Sequence, residues 1–261
     1  MGSELGSNQG YRTRQRYAVR VDRYQDGDII RCEAQRPGIA SSKRVSLNLT
    51  LDVRYEPVFT SCNTSYIFVE NVTAELSCTA WAKPEPTISW SRGVQPGQVS
   101  VTNHRYRSVV KFKKISRTDS GIYTVRASNS LGTGKEKTVN VTVYFGPDSV
   151  QLRPDSGQSG NTVTVTENNN VTFTCTSGES NPAVVLSWYN NSSPVSAGEI
   201  SEVSSQRGSN HGYLTTQRYA VRVDRYQDGD VIRCEAQRPG IASSKRVSAN
   251  LTLDVTCKAL P

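Results

Sequence analysis

The sequence predicts an all-β fold made of small sandwich domains in tandem. Three observations indicate it: apolar and polar residues alternate over short stretches, six cysteines are widely separated, and one segment occurs twice. A chain of 261 residues is long enough for two or three domains at roughly 100–200 residues each. Domains of this size bury little surface, so covalent cross-links are expected to stabilise them.

The repeat organises the chain. Residues 16–53 recur as residues 218–255 with two changes, Ile29 to Val231 and Leu47 to Ala249. The segment predicts three strands with turns between them. Its last strand alternates strictly from Val247 to Val255, which is typical of a strand with one buried face. Asn250 lies on the opposite parity and is expected to face solvent.

Cysteine spacing favours disulfides over metal. No C-x-x-C pair occurs, and both histidines, His104 and His211, are far in sequence from any cysteine, so no metal site is predicted. Disulfides indicate an oxidising compartment. The candidates are Cys32, Cys62, Cys78, Cys175, Cys234 and Cys257.

Glycosylation sequons independently indicate an extracellular protein. Eight N-x-S/T tripeptides occur in this short chain, and several fall on the polar parity of predicted strands. The predicted N-glycosylation sites are Asn48, Asn63, Asn71, Asn140, Asn170, Asn190, Asn191 and Asn250.

The charge pattern and the lack of apolar segments limit which kinds of partner the chain is expected to bind. The net charge is +8, but basic residues are interleaved with acids and no nucleic-acid motif appears, so a solvated basic surface is expected, with weak attraction to anionic glycans as the alternative. No apolar stretch resembles a secretion signal or a membrane span. We therefore expect this chain to be a fragment of a longer protein, which reaches a membrane only through an anchor outside this sequence.

A cysteine, a tryptophan about a dozen residues later and a D-x-G turn before a second cysteine resemble the immunoglobulin superfamily. Cys175, Trp188 and Cys234 give this pattern in residues 146–255. The resemblance implies a Cys175–Cys234 disulfide with Trp188 packed on it. This region looks like the C2-type domains of nephrin and its Kirre-like partners.

Residues 54–145 resemble an I-set domain. Cys78 is followed by Trp90, and Asp119-Ser-Gly-Ile-Tyr-Thr-Val125 matches the D-x-G-x-Y-x-C motif, which implies that Tyr123 is the corner tyrosine. Val125 stands where the second cysteine belongs. Cys62 is an available partner for Cys78; a free or otherwise paired thiol is the alternative.

The remaining parts fit less simply. The joint Val143–Val150 resembles joints in carcinoembryonic-antigen-type adhesion molecules and hemicentin. Residues 1–53 resemble only the C-terminal strands of a further, truncated domain, with Cys32 lacking an obvious partner. Residues 256–261, including Cys257, are expected to begin another domain or form a tail.

Function is expected to be binding. No catalytic motif, cofactor motif or phosphate loop is present, so an enzyme is not predicted. The resemblance implies an extracellular or cell-surface adhesion protein that contacts other immunoglobulin-domain proteins or itself. An immune-type receptor that binds soluble or foreign ligands and a spacer in a matrix protein are the alternatives. No ligand-binding residue can be named from the sequence.

Overall fold

The computed structural model describes residues 2–5, 11–35, 44–91, 99–239 and 246–257. Strands dominate this described part, and the helical elements within it are three-residue 3-10 turns. Residues 258–261, most of the predicted tail, lie outside the described residues, as do residues 1, 6–10 and 36–43 of the first segment.

The first segment forms two separate hairpins, β1–β2 and β3–β4. The strands are β1 (Gly2–Leu5), β2 (Tyr11–Arg14), β3 (Ile29–Ala34) and β4 (Val45–Thr50). Residues 15–22 have no strand, although residues 219–222, which match residues 17–20, lie in a strand. A strand needs a neighbour for its backbone hydrogen bonds, and none of the described residues supplies one here.

The middle of the chain is a two-layer sandwich. One sheet has the order β5-β7-β10-β9, and the other has the order β12-β11-β13-β6 with β8 paired to β11. The strands are β5 (Tyr55–Cys62), β6 (Ser65–Val69), β7 (Ala74–Lys83), β8 (Thr87–Ser91), β9 (Val99–His104), β10 (Arg107–Phe112), β11 (Gly121–Asn129), β12 (Gly132–Thr133) and β13 (Lys137–Tyr144).

The core of this sandwich follows the alternation of the strands. Alternate residues of β7, from Ala74 to Ala82, are buried and face the second sheet. Between the sheets, fully buried side chains include Leu76, Val110, Phe112, Ile115, Val125, Val139 and Val141.

The C-terminal part is a second sandwich, with sheets β14-β16-β20-β19 and β15-β22-β21-β17-β18. The strands are β14 (Val150–Pro154), β15 (Thr162–Thr166), β16 (Asn170–Ser177), β17 (Val185–Asn190), β18 (Ser193–Pro194), β19 (Ser204–Arg207), β20 (Tyr213–Arg222), β21 (Val231–Gln237) and β22 (Val247–Thr256). The all-β tandem-sandwich prediction is therefore confirmed.

The two copies of the repeat keep the same hairpin. Cys32 pairs with Leu47 in β3–β4, and Cys234 pairs with Ala249 at the matching place in β21–β22. In both copies an aspartate caps the preceding turn through a capping box: Asp22 in the first, Asp224 in the second. Turn and register are therefore set locally.

Candidate recognition surfaces

The C-terminal sandwich is cross-linked through its centre. Cys175 on β16 and Cys234 on β21 are bonded, with Cα atoms 6.4 Å apart, and both are fully buried. Trp188 pairs with Cys234 across β17–β21 and donates its indole N–H to Gln217 Oε1 at 3.1 Å. The bridge and the indole thus join the two sheets and fix their spacing.

The middle sandwich has a different cross-link. Cys62 and Cys78 are bonded between the neighbouring strands β5 and β7 of one sheet, with Cα atoms 4.3 Å apart. Val125 is fully buried in the core that contains Cys78. The link between the facing sheets is therefore replaced by apolar packing, while the disulfide fastens the first strand of the domain.

Two aromatic residues of the motif make side-chain hydrogen bonds. Tyr123 is buried and donates its hydroxyl hydrogen to the Asp119 carbonyl oxygen at 2.9 Å, the geometry of a tyrosine corner. Trp90 is partly buried and donates its indole N–H to Ser108 Oγ at 3.0 Å. The remaining cysteines, Cys32 and Cys257, are free and exposed.

The sequons leave one sheet of the middle sandwich clear. Seven of the eight asparagines are exposed, and Asn190 is partly buried. None lies on β5, β7, β10 or β9, because Asn63 follows β5 and Asn71 precedes β7 at the Cys62–Cys78 end. Glycans on these sites would therefore leave the outer face of that sheet open.

An aromatic patch occupies the other end of this open face; it consists of Trp81, Tyr106, Tyr55, Val58 and Tyr24. The indole of Trp81 stacks on the ring of Tyr106, with centroids 4.4 Å apart and planes 9° from parallel. Trp81 is 48% exposed although it lies mid-sheet, since it is on the outward parity of β7. Exposed tryptophan and tyrosine side chains are enriched at interaction hot spots.

Arginines frame this aromatic patch. The Arg105 guanidinium lies 5.1 Å from the Tyr106 ring centroid, and that of Arg23 lies 4.8 Å from the Tyr24 centroid. Tyr24 and Arg23 come from the first segment and line a cleft of about 250 Å³ together with Tyr55 and Trp81. The patch therefore spans the first segment and the middle sandwich.

Lys83 attaches the first segment at this place. Its Nζ lies 2.8 Å from Asp26 Oδ1 and 2.7 Å from Asp52 Oδ1. Hydrogen bonding to Asp26, and next to Asp52, raises the pKa of Lys83, and the same bonds lower the pKa of both carboxyl groups. The contact is solvent-exposed, so its contribution to stability is small.

A partly buried arginine contacts the segment that joins the two sandwiches. Arg117 makes a two-bond pair with Glu70, each bond 2.8 Å, and a further bond of 2.8 Å to Asp148. Its guanidinium lies 4.3 Å from the Phe145 ring centroid. Hydrogen bonding to Glu70 raises the pKa of Arg117, so the guanidinium stays charged at physiological pH.

Backbone pairing completes the joint. Phe145 and Asn181 exchange N–H···O bonds of 2.9 and 3.0 Å, and the Asn181 amide donates to the Val143 carbonyl oxygen at 3.0 Å. Residues of both sandwiches therefore hold the connecting segment.

Other kinds of site are not seen in the described ranges. There, no helix is long and apolar enough to cross a membrane, and no group of His, Cys, Asp or Glu side chains is placed to hold a metal ion.

Two family models match the two sandwiches. The Immunoglobulin I-set domain matches residues 57–143, and the CD80-like C2-set immunoglobulin domain matches residues 153–245. The chain belongs to the immunoglobulin superfamily. This is a non-enzymatic kind of protein, which agrees with the sequence prediction.

The relatives of this immunoglobulin chain include adhesion molecules. Human "Cell adhesion molecule 4" is 31% identical over 134 residues, covering 50% of this chain and 33% of the relative. Drosophila melanogaster "Protein amalgam" is 25% identical over 216 residues, covering 82% of this chain and 61% of the relative. The chain thus spans only part of the length of the curated relatives it matches.

A solved structure shares the tandem arrangement. "Rst D1-D2" superposes with a TM-score of 0.61 at 16% identity, covering 77% of this chain and 100% of that one. At this identity the likeness shows the fold alone.

Sequence reasoning missed the aromatic patch. One indication was available: Trp81 shares the parity of Glu75, Ser77 and Thr79 rather than that of the core residues. A large aromatic side chain on the solvent parity of a strand predicts an exposed apolar surface at that position. The contribution of Tyr106 and Tyr24 could not be found from the sequence, because both are distant from Trp81 along the chain.

Proposed function

We propose that this chain is an extracellular recognition segment of a cell-adhesion protein, and that the aromatic patch contacts an immunoglobulin domain of a partner molecule. The supporting observation is the stacked Trp81–Tyr106 pair, with Arg105 beside it, on the one sheet of the middle sandwich that carries no sequon. Trp, Tyr and Arg dominate binding energy at protein interfaces.

The joint between the sandwiches supports an adhesive use. Arg117 and Glu70 of the middle sandwich hold Asp148 of the connecting segment, which would keep a partner bound at the patch at a defined distance from the C-terminal end. Disulfides in both sandwiches suit the extracellular space. N-glycosylation of the exposed sequons would shield the remaining faces and direct binding to the aromatic patch.

Trp81→Ala tests the patch directly. The glycosylated chain, secreted behind a foreign signal peptide, is coupled to beads. Clustering of like beads measures homophilic binding, and capture of other immunoglobulin-domain ectodomains measures heterophilic binding. We expect Trp81→Ala to weaken whichever interaction occurs by at least roughly tenfold, as for a hot-spot tryptophan.

Ile122→Ala is the matched control, because Ile122 is 65% exposed on β11 of the opposite sheet. It should leave binding unchanged. Equal binding by wild type and Trp81→Ala, or equal loss in both variants, would rule out the patch. Absence of any binding by the wild-type chain would favour a spacer role.

A further inference from the structure

The first copy of the repeat presents an apolar sheet face that no described residue covers. On β4, Val45, Leu47 and Leu49 are between 64% and 75% exposed. On β3 they pair with Ala34, Cys32 and Ile30, of which Ala34 and Cys32 are exposed. A contiguous row of exposed apolar residues on a sheet marks an interaction site or an aggregation-prone surface.

The second copy shows what fits this face. There, Leu251 and Leu253, which match Leu49 and Leu51, are buried in the core of the C-terminal sandwich. The covering strands are β14 to β17, which pack Phe173 and Trp188 against them. β15 pairs with β22, β16 with β20 and β17 with β21.

The β3–β4 hairpin of the first copy already has the shape of its counterpart, β21–β22. Its β3–β4 register equals that of β21–β22, and Gly27 N–H donates to the Leu51 carbonyl oxygen as Gly229 N–H does to that of Leu253. Val53 N–H likewise donates to Asp26 as Val255 N–H does to Asp228, both at 2.9 Å. Little rearrangement of this hairpin is needed for docking, which lowers its entropic cost.

We propose that residues 16–53 dock by strand exchange onto β14–β17 of a second copy of this chain, in the place of that copy's residues 218–255. The chain's own β14–β17 are excluded by position. Lys83 holds the first copy at the start of the middle sandwich, whereas the C-terminal sandwich follows the end of β13 at the opposite pole. The inference rests on the repeat and is independent of the proposed function.

Exchange places Cys32 where Cys234 lies. The Cys32 thiolate attacks Cys175 Sγ, the Cys32–Cys175 bond forms, the Cys175–Cys234 bond breaks, and Cys234 leaves as a thiolate that takes up a proton. No net oxidation occurs in this step. Residues 218–255 of the accepting molecule are thereby displaced and can dock onto β14–β17 of a further molecule. The assembly is therefore open-ended.

The test uses the full-length Cys234→Ser variant, which removes the intramolecular competitor for Cys175. It is incubated with reduced and oxidised glutathione, where glutathione disulfide accepts the two electrons released by each new protein disulfide. We expect disulfide-linked dimers and larger species on non-reducing gels, with Cys32–Cys175 peptides by mass spectrometry. Adding Cys32→Ser should abolish them, while adding Cys257→Ser should not.

Two surface variants separate docking from random thiol oxidation. In the Cys234→Ser background, Leu49→Asp places a charge on the docking face and should abolish the linked species. Ser46→Asp places the same charge on the other face of β4, at the match of exposed Ser248, and should leave them intact. Monomers with free Cys32, links through Cys257 or Cys32 pairs, or insensitivity to Leu49→Asp would each overturn the proposal.

A second experiment applies if circular dichroism shows that the Cys234→Ser variant does not fold. Wild-type chain is equilibrated in the same glutathione buffer at increasing protein concentration. The fraction of Cys32–Cys175 peptides should rise with concentration, because exchange is intermolecular. A fraction that is zero at every concentration contradicts the proposal.

Discussion

Residues 16–53 and 218–255 differ at two positions, yet they occupy opposite environments. Tyr219 is 2% exposed against Phe173 and Trp188, whereas the matching Tyr17 is 75% exposed. Cys234 is bonded and buried, whereas Cys32 is free and exposed. The repeated sequence is thus compatible with a core position and with a surface position.

The difference separates local from tertiary determinants. Features within a few residues are the same in both copies: the capping box, the turn and the hairpin register. Residues 219–222 lie in β20, which pairs with β16, whereas the matching residues 17–20 have no strand. Turn chemistry therefore depends on the segment itself, while strand extension and burial depend on the facing sheet.

The largest expected effect comes from truncating matched leucines. Leu251→Ala should lower the free energy of unfolding of the C-terminal sandwich by about 3 kcal/mol, since it leaves a core cavity. Leu49→Ala should change stability by less than about 0.5 kcal/mol, because Leu49 is exposed. Denaturant unfolding followed by tryptophan fluorescence measures both. Equal losses would mean that the first copy is also packed.

A smaller effect is expected at alkaline pH. Burial, and then the charges of Glu199 and Asp230, raise the pKa of Tyr219 to about 12. The protonated phenol is favoured in the folded state, so its contribution to stability is complete below the ordinary pKa of about 10 and is lost as pH rises from there towards 12.

Phenolate absorbance measures this titration. Subtracting the absorbance titration of Tyr219→Phe from that of wild type should leave one phenol transition near pH 12. The titration of the control variant Tyr17→Phe should still contain that transition. A Tyr219 component near pH 10 would contradict the burial of this ring.

Much of the fold was predictable because its determinants are local. Strict alternation in Val247–Val255 and the D-x-G-x-Y motif at Tyr123 predict strands and a corner from neighbouring residues alone. Alternation could not show whether Tyr17–Val21 forms a strand, since that depends on a partner elsewhere. The Cys62–Cys78 bond was left open for the same reason: it depends on β5 lying beside β7.

The candidate site was less predictable. Its tryptophan could be recognised by parity on β7, but its remaining members converge only in the folded chain. Tyr106 reaches Trp81 because the Tyr106 carbonyl accepts from Ala80 N–H, and Tyr24 arrives through the Lys83 contact. Such surfaces follow from tertiary contacts that no short motif encodes.

Hydrogen exchange of the two copies within one protein tests the central claim most directly. Mass spectrometry distinguishes them, because the peptides that contain Leu47 and Ala249 differ in mass. We expect amides of β22 to exchange orders of magnitude more slowly than those of β4, since only β22 is paired on both sides and packed in a core. Equal protection of β4 and β22 would contradict the claim that the facing sheet determines whether a copy of the repeat is buried in a core.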